Sequence, residues 1–260
     1  MNSYLLVARR GFGLGDAVLV TALARDIKKL HPDCDIAVDT NFRPVWDNNP
    51  YVSLQSSRRS TTGRMLIRVD YSAAIRASKL GSHNHFLKGF HDNFEHQTGL
   101  AVWPTRPSGD LHLSAREQEP PLKGRYWVIL AGGKSDMTVK IWDRRNYQNV
   151  VDALREQGIY CVQAGARERN HLHEPLRNCV DLVGQTPNLR DLFSLIHGAD
   201  GVICGITSGM HLAACFDKPC VVIAGGREEP SFVAYSNAYP HAFGPRCEPV
   251  RVEHKFLHTV

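Results

Sequence analysis

The segment that decides the fold is residues 4–38, which read YLLVARRGFGLGDAVLVTALARDIKKLHPDCDIAV. Residues 4–8 are a short, continuously apolar run, which is typical of a strand covered on both faces. From residue 17 to 30 the apolar side chains recur at helical spacing, and Pro32 ends that helix. A second apolar run at 34–38 completes a β-α-β unit. Such a unit implies a parallel sheet and therefore predicts an α/β fold.

The same alternation returns in the second half of the chain. Apolar runs predict strands at 126–131, 160–164, 201–204 and 220–224, with helices at 145–157, 189–197 and 210–216. Most of these strands end in glycine or a small residue, and ligands in such sheets bind at the carboxyl ends of strands. Residues 114–124 contain two glutamates and two prolines and predict a linker. We therefore expect two Rossmann-like parallel-sheet domains, 1–118 and 119–260, that face each other across a cleft.

The intervening residues, 41–110, are less regular. Residues 65–69 predict a strand and 103–109 a loop. Between them lies a polar stretch that contains Lys79, His83, His85, Lys88, His91 and His96. A histidine-rich run can bind a metal, but these spacings match no known ligand set, so a solvated loop or helix is the expectation.

Composition limits the class of protein. The chain has 260 residues, of which 43% are hydrophobic and 22% charged, as in globular proteins of two domains. No apolar run approaches the roughly 20 residues that span a bilayer, and the amino terminus has no secretory pattern, which predicts a cytoplasmic protein. The net charge of +5 suits phosphorylated substrates or contact with an anionic membrane, and equally an ordinary basic surface. No basic stripe is interleaved with aromatics, so nucleic acid is not an expected partner.

The cysteines indicate a reducing compartment. There are seven of them, and none forms a C-x-x-C pair. Several lie in apolar runs, as Cys204 does, which is typical of free buried thiols. We expect neither disulfides nor a zinc site.

A glycine-rich turn joins the first predicted strand to the first predicted helix. Gly13 and Gly15 let a ligand approach the backbone closely, and the helix start that follows favours an anion. Asp16 is either a cap of that helix or a general base at the mouth of the cleft. Arg9 and Arg10 precede the turn and are available for acceptor phosphates or carboxylates.

Two further turns in the second half contain groups that suit a diphosphate. The turn at Gly133 offers backbone N–H groups at a strand end, and Lys140 follows it with a positive charge. Thr207, Ser208 and Gly209 stand where a strand gives way to a helix, where hydroxyl and N–H groups converge. His211, on the first turn of that helix, either faces the cleft or packs in the core.

Taken in order, these motifs resemble those of the bacterial heptosyltransferase family, the ADP-heptose:lipopolysaccharide heptosyltransferases and their relatives. The resemblance rests on Gly13-Leu14-Gly15-Asp16, on Lys140-x-Trp142, on Gly165, and on residues 181–186 and 207–214. It extends from Leu5 to about Tyr235. The family has the GT-B fold, so the resemblance implies two facing Rossmann-like domains with the nucleotide-sugar donor on the second and the acceptor on the first.

The resemblance also implies a reaction. It is inverting transfer of a heptose-like sugar from a nucleotide-diphosphate donor, with an ADP-linked sugar expected, to a glycan or glycolipid. No metal and no cofactor are implied. Asp16 would act as base, Lys140 would bind donor phosphate, and the loop of Thr207, Ser208, Gly209 and His211 would hold the diphosphate. Glu168, shortly after Gly165, matches an acidic residue that contacts nucleoside or sugar. Membrane contact would be peripheral at most, at the inner membrane.

The chain also departs from the family pattern. Most members carry aspartate just before the Thr/Ser of the last motif, where this chain has Ile206. The chain stops at Val260, before the helix that this fold usually returns to the first domain, which indicates a truncated chain or a compact relative. The alternatives are a nucleotide-sugar epimerase or hydrolase on the same scaffold, and a non-catalytic nucleotide-sugar-binding protein.

Overall fold

The first sheet is built from the amino-terminal part of the chain. A computed structural model describes residues 3–8, 11–54, 63–73, 85–135, 140–224, 235 and 247–251. Its first four strands are β1 (Ser3–Ala8), β2 (Asp35–Asp39), β3 (Ser53–Leu54) and β4 (Met65–Val69). They pair in parallel in the order β3-β2-β1-β4. The apolar run of β1 is buried in the middle of this sheet, as the sequence pattern predicts.

Three helical segments accompany this sheet. They are α1 (Leu14–Leu30), α2 (Phe86–Thr98) and a short 3-10 helix (Arg43–Trp46). Helix α1 is buried from Ala17 to Ile27, because one side packs on its own sheet and the other meets the second half of the chain. It therefore belongs to the boundary between the two halves rather than to the surface.

The second sheet is larger. Its strands are β5 (Tyr126–Leu130), β7 (Tyr160–Gly165), β9 (Val180–Val183), β10 (Gly201–Gly205), β11 (Cys220–Ala224) and β12 (Cys247–Arg251). All pair in parallel in the order β12-β11-β10-β5-β7-β9. The strands β6 (Gly133–Lys134) and β8 (His171–Leu172) form a separate antiparallel pair. Helices α4 (Arg144–Glu156), α5 (Leu189–Gly198) and α6 (Ser208–Cys215) connect the strands.

Both sheets have the Rossmann strand order. In the first sheet, the chain adds β2 and β3 on one side of β1 and then returns to add β4 on the other side. The direction of winding therefore reverses between β1 and β4. In the second, the reversal lies between β5 and β10. Loops leave in opposite directions at such a reversal and open a crevice at the carboxyl ends of the strands. The predicted α/β class with two parallel sheets is confirmed, whereas the division at residues 118 and 119 stays a prediction.

The predicted linker is partly ordered into a helix that docks on the second half. Within residues 114–124 lies α3 (Ala115–Gln118). The Glu117 carboxylate is bound by the Arg190 guanidinium of α5 at 2.6 Å, and its carbonyl oxygen accepts from Ser194 Oγ at 2.6 Å. That ion pair holds the pKa of Glu117 at about 2. The expectation of a plain linker is therefore wrong for these residues.

The histidine-rich stretch is also not simply solvated. Lys79 and His83 lie outside the described residues, but His85 and His91 are buried and belong to α2 and its amino-terminal cap. Leu87, Phe90 and Phe94 of α2 are fully buried. The polar sequence concealed this apolar face because its histidines replace part of the usual hydrophobic stripe.

His91 completes a buried charge network between α1 and α2. The Arg25 guanidinium contacts both carboxylate oxygens of Asp26 at 2.9 and 3.0 Å, and His91 Nε2 lies 3.0 Å from Asp26 Oδ2. The Thr105 hydroxyl donates to Asp26 at 2.6 Å, and Arg25 also donates to the Ser108 carbonyl. Burial opposes ionisation of Asp26, but these hydrogen bonds outweigh it and hold its pKa below the ordinary value. The network ties residues 105–108 to both helices.

Two sequence-level expectations concern the chain as a whole. Free thiols, as predicted, are found at Cys34, Cys161, Cys179, Cys204, Cys215 and Cys220. Of the helices in the described part of the chain, none combines the length and the apolar character that crossing a membrane requires.

Asp26→Asn is expected to lower the free energy of unfolding by about 3–5 kcal/mol, because it leaves the Arg25 guanidinium buried without its counter-charge and removes the carboxylate oxygen that pairs with His91 Nε2. The measurement is urea unfolding at neutral pH. Asp92→Asn is the matched control, since Asp92 pairs with Lys88 on the half-exposed side of α2 and such pairs contribute less than about 1 kcal/mol. Equal losses in the two variants would show that the Asp26 network does not stabilise the fold.

Candidate functional site

The glycine-rich turn after β1 forms the amino-terminal cap of α1. Helix α1 begins at Leu14 with Gly13 as its cap residue, three residues earlier than the sequence pattern predicts. The Gly13 N–H donates to Asp16 Oδ2 at 2.7 Å. Asp16 is thus not the cap residue itself. It stands in the first turn of the helix and accepts a hydrogen bond from the cap residue, which leaves its other carboxylate oxygen for further contacts.

Gly15 brings this turn against the helix start of the second half. A Cβ atom added at Gly15 would lie 2.7 Å from His211 Cδ2 and 3.6 Å from the Ser208 Cα. Both residues belong to the first turn of α6, whose cap residue is Thr207. The absence of a side chain at Gly15 therefore allows the amino-terminal ends of α1 and α6 to touch.

His211 is fixed at this contact. Its ring is buried, and Nδ1 lies 2.5 Å from the Tyr235 hydroxyl oxygen. Burial lowers the pKa of His211 to about 3, with smaller contributions from His85 and Lys140, so the ring is neutral at physiological pH. The Tyr235 ring lies 4.8 Å from the ring of His85, at the start of α2. His211 therefore packs where the two halves meet.

The second predicted phosphate turn converges on the same place. A Cβ added at Gly205, the last residue of β10, would lie 2.6 Å from the Lys140 carbonyl oxygen, so the segment of Lys140 passes directly over this strand end. A Cβ at Gly133 would lie 4.0 Å from Thr207 Cγ2. The turns after β5 and β10 thus lie side by side at the crevice of the second sheet.

Gly209 also has a packing role, while its predicted contact with the donor diphosphate stays a prediction. A side chain there would collide with Leu130 of β5, since α6 lies directly on the sheet at this point. Gly209 thereby sets the close helix–sheet packing that aims the amino-terminal end of α6 at the crevice. This is the role of the third glycine in dinucleotide-binding turns.

Groups from both halves of the chain affect the pKa of the Asp16 carboxyl. Burial raises its pKa above the ordinary value. The hydrogen bonds from the Gly13 N–H and the Tyr71 hydroxyl oppose this rise. The positive charges of Lys140 and Lys134 oppose it too, so both lysines lie within electrostatic reach across the crevice. The balance gives a half-buried carboxyl that is more basic than a free aspartate.

The ring of His173 joins Gly165 to the turn after β5, because a Cβ atom at Gly132 would collide with the same ring. A Cβ at Gly165 would collide with the ring of His173, which covers the carboxyl end of β7. Burial lowers the pKa of His173 to about 4. Glu168 is exposed on the following loop, with its carboxylate 3.5 Å from His171 Nδ1. Glu168 thus lies on an exposed loop after β7, beside the strand pair β6–β8.

An open cavity of about 490 Å³ lies at the crevice of the first sheet. Its lining comes from the ends of β1 and β4 and from α2, and includes Val7, Ala8, Arg68, Asp70 and Asn93. Arg9 and Arg10 follow β1 in the sequence but lie outside the described residues. Within the described ranges, no cluster of three or more His, Cys, Asp or Glu is arranged to hold a metal ion.

Sequence reasoning missed three residues of the site: Tyr71, His85 and Tyr235. Tyr71 comes two residues after β4, at the carboxyl end of a strand beside the reversal of strand order. The rule that ligands bind at the carboxyl ends of strands, applied above to the second half of the chain, holds equally for this position. His85 and Tyr235 carry no such local signal, because only tertiary packing brings them to His211.

The sequence of this chain matches a family model. Residues 55–254 match the model described as glycosyltransferase family 9 (heptosyltransferase). This span contains β4, α2 and nearly all of the second half. No curated protein sequence matches the chain.

Solved structures match its fold at low identity. A glycosyltransferase of family 9 from Veillonella parvula is 12% identical, with a TM-score of 0.69 over 96% of this chain and 86% of that chain. The E. coli ADP-heptose LPS heptosyltransferase II is 14% identical, with a TM-score of 0.64 over 96% and 91%. E. coli heptosyltransferase WaaC with ADP is 16% identical, with a TM-score of 0.62 over 96% and 93%. The shared fold agrees with the predicted GT-B arrangement.

Gly15→Ala is expected to lower the free energy of unfolding by about 1–3 kcal/mol, because the new methyl group must displace the fixed ring of His211. Chemical denaturation measures the change. Gly13→Ala is the matched control in the same turn. Its Cβ would meet Asp16 Oδ2 at an ordinary 3.7 Å and its backbone is extended, so only the loss of a favourable cap residue, below about 1 kcal/mol, is expected. A Gly15→Ala protein as stable as the wild type would mean that the two helix ends are not in contact.

Proposed function

The chain belongs to glycosyltransferase family 9, the heptosyltransferase family, and we propose that it moves a heptose-like sugar from an ADP-linked donor to a hydroxyl of a glycan or glycolipid. The proposed transfer inverts the anomeric centre and uses no metal ion. The observation that supports it most is the contact of the Asp16 turn with the Thr207–Ser208 turn through Gly15 and His211. A base and a diphosphate site then lie on opposite sides of one crevice.

The second half offers the groups that a departing nucleoside diphosphate needs. The amino-terminal end of α6 directs its N–H groups and positive dipole end into the crevice, beside the Thr207 and Ser208 hydroxyls. Lys140 and Lys134 supply positive charge in place of a metal ion. The relative WaaC was solved with ADP, which supports ADP as the nucleotide. Gly133 leaves room for the phosphates beside Thr207.

Asp16 is the proposed base. Its carboxylate takes the proton of the acceptor hydroxyl while that oxygen bonds to the anomeric carbon of the donor. The bond from the anomeric carbon to the diphosphate oxygen breaks, and the diphosphate leaves with the electron pair. A raised pKa suits this task, because a more basic carboxylate accepts the proton more readily. Backside attack of this kind inverts the anomeric configuration.

The acceptor is proposed to bind at the first sheet. The cavity at the ends of β1 and β4 adjoins the segment of Tyr71, whose hydroxyl donates to Asp16. Arg68 lines this cavity, so a phosphate or carboxylate on the acceptor finds positive charge there. Arg9 and Arg10 are proposed to add to it. Gly13 and Gly15 are proposed to let the acceptor approach the backbone of the Asp16 turn closely.

Two positions shape the expected donor preference. Ile206, where most members of the resembled family carry aspartate, is buried rather than directed at a ligand. Recognition of the sugar hydroxyls is therefore proposed to come from residues other than position 206. Glu168 remains a proposed contact to the nucleoside from the rim of the crevice.

Asp16→Asn and Lys140→Met are expected to separate catalysis from donor binding. Asp16→Asn should lower kcat by about 10²–10⁴-fold with little change in the Kd for an ADP-sugar, because only the base is lost. Lys140→Met should raise that Kd by about ten- to a hundredfold, because a hydrogen bond to a charged group contributes about 1.5–3 kcal/mol. Calorimetry with a panel of ADP-, GDP-, UDP- and dTDP-sugars gives the Kd, and a coupled assay gives kcat.

The matched control for this pair is Asp33→Asn. Asp33 is exposed just before β2, at the amino-terminal edge of the first sheet and thus opposite the crevice. The Asp33→Asn substitution should leave kcat and the Kd for an ADP-sugar unchanged. If Asp16→Asn weakens donor binding as strongly as it lowers kcat, Asp16 is a binding residue and not the base. If the wild type binds no sugar nucleotide of the panel, the proposed function fails.

Transfer is expected to continue unchanged in the presence of EDTA, and the product linkage should have the opposite anomeric configuration to the donor. Proton NMR of the product gives that configuration from the anomeric coupling constant. Loss of turnover in EDTA that Mg²⁺ restores would contradict the metal-independent mechanism. If the donor is hydrolysed or epimerised and no acceptor is glycosylated, the protein is a hydrolase or an epimerase and not a transferase.

A further inference from the structure

Tyr71 and Asp16 stand on the two chain segments that leave the crevice of the first sheet. Strands β1 and β4 are parallel neighbours, with Ala8 opposite Val69. The turn with Asp16 follows β1, and Tyr71 follows β4 by two residues. Because the carboxyl ends of these strands lie at the same edge, the fold itself brings the tyrosine beside the carboxylate.

The ring of Tyr71 is held on several sides by aromatic neighbours. Its centroid lies 4.8 Å from that of Phe86, 5.3 Å from that of Phe90 and 5.9 Å from that of Phe12. The next residue is also anchored, because the Ser72 N–H and hydroxyl donate to Asp70 Oδ1 at 3.0 and 2.7 Å. A ring clamped in this way loses little further freedom when its hydroxyl donates a hydrogen bond.

That hydroxyl donates to the Asp16 carboxylate, which also accepts from the Gly13 N–H at 2.7 Å. Two donors from different segments define the orientation of a carboxylate better than one. We propose that Tyr71 is a positioning residue for the reaction: clamped by Phe12, Phe86 and Phe90, it fixes the Asp16 carboxylate in the orientation from which it accepts the proton of the acceptor hydroxyl. This inference rests on the proposed function of Asp16.

The charged and titratable groups that face Asp16 give Tyr71 a second effect. From the second half, Lys140 and Lys134 lower the pKa of Asp16, while His211, across the contact with Gly15, is neutral. Burial raises the pKa of Asp16. The Tyr71 hydroxyl counters burial, so its removal shifts the balance toward the protonated acid. The base is then ionised only at higher pH.

Tyr71→Phe tests the inference, because it keeps the clamped ring and removes only the hydroxyl. The acid limb of kcat/KM should move to higher pH by about 0.4–1 unit, the shift that corresponds to one ordinary hydrogen bond. The plateau of kcat should also fall, because the carboxylate loses one of its two orienting donors, while the Kd for ADP stays the same. Carboxyl ¹³C NMR with labelled aspartate, assigned with Asp16→Asn, should show the same upward shift for Asp16 without turnover.

The matched control is Tyr126→Phe. Tyr126 is a buried tyrosine of β5 whose hydroxyl donates to the Leu195 carbonyl at 2.9 Å, so its loss costs stability without touching Asp16. The pH profile of kcat/KM for Tyr126→Phe should match that of the wild type. If Asp16→Asn is inactive but Tyr71→Phe has the wild-type acid limb and kcat, the role of Tyr71 is overturned and that of Asp16 stands. If Asp16→Asn keeps turnover, Asp16 is not the base, and the proposed role of Tyr71 fails as well. An Asp16 titration that is identical with and without the hydroxyl also overturns the inference.

Discussion

The contact of Gly15 with His211 is the constraint on which the rest of the site depends. Helices α1 and α6, one from each half of the chain, meet there at their amino-terminal ends. A Cβ atom at Gly15 would lie only 2.7 Å from His211 Cδ2, so there is no room for a side chain. Two positive dipole ends repel each other unless something negative lies between them. The Asp16 carboxylate stands in the first turn of one of these helices, and the proposed diphosphate would lie at the other. The geometry thus favours an anion in the place where the proposed chemistry needs one.

Parallel strand topology explains why the site assembles from residues so far apart in sequence. Because all the strands of each sheet are parallel, every loop that follows a strand lies at the same edge of that sheet. Each sheet reverses its strand order once, at β1/β4 and at β5/β10. The turns of Asp16 and Tyr71 flank the first reversal, and those of Gly133 and Thr207 flank the second. The buried network of Asp26 fixes α1, which carries the Asp16 turn, against α2, and the ion pair of Glu117 with Arg190 fixes α3 against α5.

Much of this could be predicted from the sequence, because it follows from local pattern. The apolar run at 220–224 coincides with β11, and the glycines at the ends of β7 and β10 mark the edge where ligands bind. The rest depends on tertiary packing. The buried face of helix α2 is not visible in the local pattern, because the polar ring of His91 is paired with a residue 65 positions earlier in the chain. Glu168 was assigned by motif alone, and its exposed position reflects a loop that periodicity does not describe.

The surroundings of Asp16 reconcile two opposing demands on a base. Burial makes a carboxylate basic, but excessive burial would leave it protonated at neutral pH and useless for taking a proton. Here the aromatic cluster around Tyr71 contributes to burial, while the Tyr71 hydroxyl, the Gly13 N–H and the lysines of the second half support ionisation. The donor diphosphate would neutralise those lysines when it binds. Bound donor would thus make Asp16 more basic at the moment when an acceptor hydroxyl must lose its proton, which couples base strength to occupancy of the donor site.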